Sequence, residues 1–179
     1  MDYAIRRVFE SMTKSAALIK TILFTFVAPG SVTVLLPYLI LSSDWDLFAI
    51  NLGIFHRAGI LLMAAGFTIY LFSAFQFVFT GRGTPSPLDA PPILVAKGIY
   101  RYVRNPMYVG VLTILTGEII FFQSEMLTLY AILAFIMVNS FVHFYEEKAL
   151  TKKFGESYLN YKSRVPRWIP RGLFLKRLN

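Results

Sequence analysis

The chain is predicted to be all-α: a multi-pass transmembrane helical bundle of about four spans, with a cytoplasmic Pro-rich loop and a basic C-terminal helical tail. Three observations carry that expectation. Of 179 residues, 56% are hydrophobic and 16% aromatic, too greasy for a soluble domain of this size. Uncharged stretches recur at the length a bilayer core demands, about 20 residues. The 18 Lys and Arg residues gather in the segments flanking those stretches. The net charge of +8 therefore speaks for membrane topology rather than nucleic acid. With no cysteine, disulfides, thiolate catalysis and Cys-ligated metals are excluded. The whole chain, 1–179, is expected to form a single integral membrane domain.

Residues 1–20 place Ile5, Val8, Phe9 and Met12 at helical spacing against Arg6, Arg7, Glu10 and Lys14, as in a short amphipathic helix on a membrane surface. From Thr21 to Leu41 every residue is uncharged, and no small-residue cleavage site follows cleanly, so this is a retained first span. Pro29-Gly30 and Pro37 interrupt it, which predicts a kinked helix, with a re-entrant hairpin as the alternative. Ser42 to His56, with Asp44, Trp45 and Asp46, reads as an exposed connection with an aromatic interface anchor. The second span is 58–80. On it Gly59 and Gly66 lie seven apart, on roughly one face, where another helix or a ligand can approach the backbone. Residues 81–97 hold Pro85, Pro87, Pro91 and Pro92, a composition expected of a stiff strap over a site. Spans three and four follow at 106–122 and 126–145, joined by a turn of about three residues and hence antiparallel neighbours. The tail, 146–179, is polar and basic.

Counting Lys and Arg by segment orients the bundle. Residues 1–20 hold four, the 80–105 loop four and the tail nine, whereas the opposite side has Arg57 alone. The positive-inside rule then puts both termini and the Pro-rich loop in the cytoplasm, at an inner membrane or an endoplasmic reticulum. The start of span three and the end of span four fall on that same side.

Two clusters there could carry chemistry. Asn105-Pro106 is a helix-start signal: Asn caps a free N–H and Pro suits the first helical position. The first turn, Pro106-Met107-Tyr108, would aim free N–H groups and the positive end of the helix dipole at an anion, with Arg101 and Arg104 nearby and Tyr100, Tyr102 and Tyr108 bracketing the seat. Glu146 and Glu147, preceded by Asn139 and His143, form the second cluster, a polar stripe at the end of span four expected to face the bundle interior or a wet cavity. His143 and Glu147 have metal spacing, but no third ligand accompanies them, and no metal is expected. Glu118 lies about 18 Å along span three from Pro106, a depth that would let it reach the far headgroups.

Gly98-Ile99-Tyr100-Arg101 followed by Arg104-Asn105-Pro106-Met107-Tyr108-Val109-Gly110 resembles the Arg-His-Pro-x-Tyr-x-Gly box of the isoprenylcysteine carboxyl methyltransferase family and its phospholipid methyltransferase relatives. The tail resembles that family too, in Glu146-Glu147, Leu150, Phe154-Gly155, Tyr158, Tyr161, Val165-Pro166-Arg167 and Pro170, as does Gly83-Thr84-Pro85 with Pro87 before the box. Asn105 stands where the box has His, a departure shared with the phospholipid branch. The resemblance spans about residues 57–171. It implies an enzyme that takes S-adenosylmethionine from the cytoplasm and methylates a lipophilic acceptor from the membrane. Asn105 to Met107 and Arg104 would then receive the cofactor's carboxylate, Glu146 or Glu147 its ribose hydroxyls or ammonium, and Tyr108 or Tyr100 its sulfonium. A carboxylate acceptor would be oriented by Arg101 or Arg167, and an amine or thiol acceptor would need a base, for which His143 is the candidate. Membrane steroid and enone reductases, which use NADPH, have a similar Arg-x-Pro-x-Tyr-x-Gly segment and supply the alternative, with a non-catalytic transporter or scaffold the third reading.

Overall fold

The computed structural model describes residues 2–42, 53–81 and 93–170, with side chains from Ala16 onward. Among the described residues every regular element is helical. Helix α1 runs from Asp2 to Gly30, passes into a π-helical turn at Ser31–Leu35 and continues as α2, Leu36–Leu41. The expected surface helix and first span are therefore one rod, because nothing before Pro29 breaks the helix. The hairpin alternative is excluded as well. Pro29 lacks an N–H and so costs the ladder a bond, and the π turn just beyond absorbs the mismatch. Two hydroxyls tend the disturbed carbonyls: Thr33 Oγ1 donates to Pro29 O at 2.9 Å and Tyr130 Oη to Val32 O at 2.8 Å.

Helix α3, Ile54–Gln76, also ends in a π turn, Phe77–Gly81. The Pro-rich stretch 82–92 and the connection at 43–52, with Trp45, lie outside the described residues. The chain returns through an irregular segment to a 3₁₀ turn at Gly98–Arg101 and then enters α4, Pro106–Phe122. Gln123 adopts a left-handed conformation with φ 52°, and Ser124 caps α5, Glu125–Phe141, by accepting from Leu127 N at 3.3 Å. That two-residue turn makes α4 and α5 antiparallel neighbours. A π turn at Val142–Glu146 leads without a break into α6, Glu147–Phe154. Gly155, at φ 54°, swings the chain into α7, Glu156–Arg164.

Among the described residues three helices are long and apolar enough to cross a membrane: Ala16–Leu41, Ile54–Gly81 and Glu125–Phe154. The fourth predicted span, α4, is shorter at 17 residues, about 26 Å of helix. Its apolar length still approaches the hydrocarbon thickness of a bilayer. The 30-residue helix overshoots that thickness by about ten residues, so α6 projects beyond it.

Helices α3 and α4 form the tightest pair. A Cβ added at Gly59 would lie 2.7 Å from Gly117 O, and one at Gly66 would lie 2.6 Å from Gly110 O. Each of the four glycines thus admits the opposite backbone, and the crossed pairing fixes an antiparallel arrangement. Gly59 and Gly66 serve helix packing. By contrast, α1 is pinned beside Tyr70, Thr25 Oγ1 and Tyr70 Oη lying 2.7 Å apart, while Phe26 and Val27 face outward at 74% and 71% exposure. Such a face suits lipid rather than water.

Glu118 departs from its expected place. It is buried at 8% exposure, with Oε2 unpartnered among the described residues, rather than reaching headgroups. Its position along the axis was legible in the sequence; the inward face it occupies was not.

Candidate active site

A cavity of about 290 Å³ lies between the start of α4, the junction of α5 and α6, and the wall made by α1 and α3. Its size is near the lower end for small-molecule pockets. One end is apolar, lined by Phe24, Pro29, Val32, Val111 and Val138, with Tyr70 as its polar group. The other end holds Tyr100, Arg104, Asn105, Met107, Tyr108 and Glu146. These are six of the eight residues expected to bind a cofactor. A seventh, Pro106, is fully buried at the first position of α4.

Local sequence explains the polar end. Pro106 opens α4 and brings no N–H, and Val109 N donates to Asn105 O at 3.1 Å, so the N–H groups of Met107 and Tyr108 have no intrahelical acceptor. The expected Asn105 cap, however, is absent. Its side chain instead donates through Nδ2 to Arg167 O at 3.3 Å, because the tail crosses directly over the helix start. The same crossing joins Arg104 N to Pro166 O at 2.9 Å and Tyr161 Oη to Tyr100 O at 2.6 Å.

The two adjacent glutamates point to different surroundings, as residues about 100° apart on a helix must. Glu146 faces the cavity and accepts from Tyr108 Oη at 3.1 Å. Glu147, 4% exposed, pairs with Lys162 at 2.6 Å, Arg167 at 2.8 Å and Arg104 at 3.0 Å. It is not among the cavity's lining residues. Arg167 continues along the α5 stripe, its Nη1 3.4 Å from Asn139 Oδ1 and its Nη2 3.3 Å from His143 Nδ1. Trp168 Nε1 donates to the same Asn139 oxygen at 3.0 Å. Of the stripe expected to face the bundle interior or a wet cavity, Glu146 lines the cavity, while Asn139, His143 and Glu147 dock the tail.

Arg101, His143 and Arg167 all lie outside the cavity lining. Arg101 is exposed, with its guanidinium 5.3 Å from the Tyr102 ring centre. His143 is exposed too, held against Arg167.

The cavity also has residues to which the sequence reading gave no role. Tyr158 and Tyr161 line it from α7, and Lys153 brings a cation to its wall from α6. The tyrosines were findable, since their three-residue spacing puts both on one helix face. Burial raises the phenol pKa of Tyr158 and Tyr161 above the usual tyrosine range, and that of Tyr100 well above it. All three stay protonated donors. Two residues of the cavity lining carry deeply buried polar atoms: the Tyr100 hydroxyl, set against Ser73, and Arg104 Nε, which has no hydrogen-bond partner among the described residues.

Such an arrangement can hold a polar zwitterion by its carboxylate and hydroxyls at one end and admit an apolar chain at the other. Comparison with known proteins bears on what that molecule is. The model of the family described as phospholipid methyltransferase matches residues 54–157. A protein-S-isoprenylcysteine O-methyltransferase of Schizosaccharomyces pombe is 37% identical over 78 residues, covering 44% of this chain and 33% of that protein. The matched stretch thus spans about a third of that relative's length. An uncharacterized protein of Haemophilus influenzae is 33% identical over 63 residues, 35% of this chain and 100% of its own length. No solved structure matches.

Proposed function

The chain belongs to the phospholipid methyltransferase family, and on that premise we propose that it transfers a methyl group from S-adenosylmethionine to a lipophilic acceptor drawn from the membrane. The observation that carries this reading is the two-ended cavity, with Arg104 and Glu146 at one end and side chains of the first span at the other.

The polar end fits the donor molecule. It offers an arginine whose Nε has no partner among the described residues, the Tyr100 phenol beside Ser73 and a carboxylate that accepts a hydrogen bond from the neutral Tyr108. Bound there, the cofactor would supply an electrophilic methyl group on sulfur. Arg104 and the N–H groups of Met107 and Tyr108 would hold its carboxylate. Glu146 would accept from its ammonium or ribose hydroxyls, and the rings of Tyr100 and Tyr108 would lie near the sulfonium. Displacement at a methyl group disperses charge, so these residues act by alignment and by keeping water out.

Among the described residues Glu146 is the only acid that lines the cavity. An amine acceptor losing a proton would lose it there, not to His143, which lies outside the cavity. A carboxylate acceptor needs no base, and Lys153, which joins Arg104 in the lining, is a cation that would orient it. The polar end faces the cytoplasm by the positive-inside rule, with both termini on that side. Ligand-induced thermal stabilisation tests the reading. A shift with S-adenosylhomocysteine and none with NADPH is expected, and the reverse pattern would favour a reductase.

A further inference from the structure

The paired glutamates have separable tasks. Glu146 faces the cavity, whereas Glu147 is buried among Arg104, Arg167 and Lys162 and does not line it. Arg104 is the shared member of both surroundings. Its Nη1 engages Glu147 at 3.0 Å and lies 3.4 Å from Tyr158 Oη, its backbone N–H donates to Pro166, its Nε has no partner among the described residues, and its side chain belongs to the cavity lining.

We propose that Glu147 is a positioning residue: it grips one edge of the Arg104 guanidinium so that the other edge is presented to an anionic group in the cavity. The proposal rests on the function proposed above. Three physical points carry it. A guanidinium is a rigid planar fork, so fixing two of its bonds sets the direction of the rest. An arginine already held loses little rotamer freedom when a ligand arrives, which makes the seat preorganised. Glu147 is one carboxylate shared among three cations, so the grip does not cancel the attraction of Arg104 for an anion. Arg167 contributes at one remove. Its side chain completes the grip on Glu147, and its backbone carbonyl holds Asn105.

A ligand contact by Glu147 itself would make the same single-mutant prediction, so the test is a double-mutant cycle on affinity for S-adenosylhomocysteine, measured by calorimetry on the full chain in nanodiscs. With Arg104 present, Glu147→Gln is expected to weaken binding about tenfold, the scale of one charge-assisted hydrogen bond. In an Arg104→Met background the same change should have no further effect, because the group it aims is gone. Equal losses in both backgrounds would overturn the proposal and make Glu147 a direct ligand. Arg104→Lys should bind as poorly as Arg104→Met, since a point charge lacks the fork. Wild-type affinity in Arg104→Lys would overturn the aiming role. Lys162→Met, which trims charge but not the fork's direction, should stay within about twofold of wild type. A larger loss would mean that charge rather than direction governs the seat. If Glu147→Gln does not fold, Glu147→Gln with Arg167→Gln is compared with Arg167→Gln alone, so that of the two arginines on Glu147 only Arg104 loses its partner within the comparison. Failure of the wild type to bind S-adenosylhomocysteine would instead overturn the function on which the proposal rests.

Discussion

Gly59, Gly66, Gly110 and Gly117 let α3 and α4 meet backbone to backbone, whereas at the start of α4 Arg104 is held by a carboxylate, a phenol and a tail carbonyl. The seam gains its strength from the absence of side chains and offers nothing for chemistry. The clamp is built from groups that are costly to bury, and each is matched by a partner from a distant part of the chain. In a bilayer the seam's close approach is what binds helices, since lipid removes the usual hydrophobic incentive. The clamp needs the polar boundary, where Arg104 can serve an incoming ligand. The difference suggests a division of labour: the seam fixes where α4 begins, and the clamp decides what its first turn presents.

Substitutions should separate the two. Gly66→Leu drives a side chain into the Gly110 carbonyl and the Ile114 backbone, and neither can yield. A loss of at least about 3 kcal/mol is expected, read as thermal unfolding in detergent. Ligand affinity would vanish with the fold. Glu146→Gln should do the reverse, weakening S-adenosylhomocysteine about 10- to 100-fold while leaving the melting temperature near wild type, because it removes a charged acceptor from the cavity and not a packing contact. A large fall in melting temperature there would place Glu146 with the structural residues. Tyr108→Phe deletes the hydroxyl that donates to Glu146. A few-fold weaker binding is expected on titration, as for one modest hydrogen bond. Smallest is Tyr130→Phe, which frees the Val32 carbonyl at the π turn of the first span and should cost about 1 kcal/mol of stability without altering cofactor affinity.

The seam was half legible in the sequence. The spacing of Gly59 and Gly66 announced a packing face, and Pro106 announced the start of α4 at the observed residue. The partners Gly110 and Gly117 have the same seven-residue spacing, but nothing local says that the two faces meet. The clamp was legible as two clusters of opposite sign on one side of a membrane. Its inner assignment was not. Glu146 and Glu147 are neighbours in sequence, and which of them faces the cavity depends on how the whole α5–α6 rod is rotated. Arg167 and Trp168 sit in an irregular segment after α7, where no periodicity reports direction, and their docking on Asn139 and His143 emerges only when the tail has turned at Gly155. Glu118 failed as an expectation for the same reason, since depth along a helix does not specify a face.

Methyl transfer itself is tested most directly by incubating the nanodisc-embedded protein with S-adenosylmethionine carrying a labelled methyl group and a total lipid extract, then counting label in the organic phase. The account predicts label there that depends on Glu146 and disappears in Glu146→Gln. Wild-type protein that binds S-adenosylhomocysteine and labels nothing, or Glu146→Gln that labels as well as wild type, would contradict it.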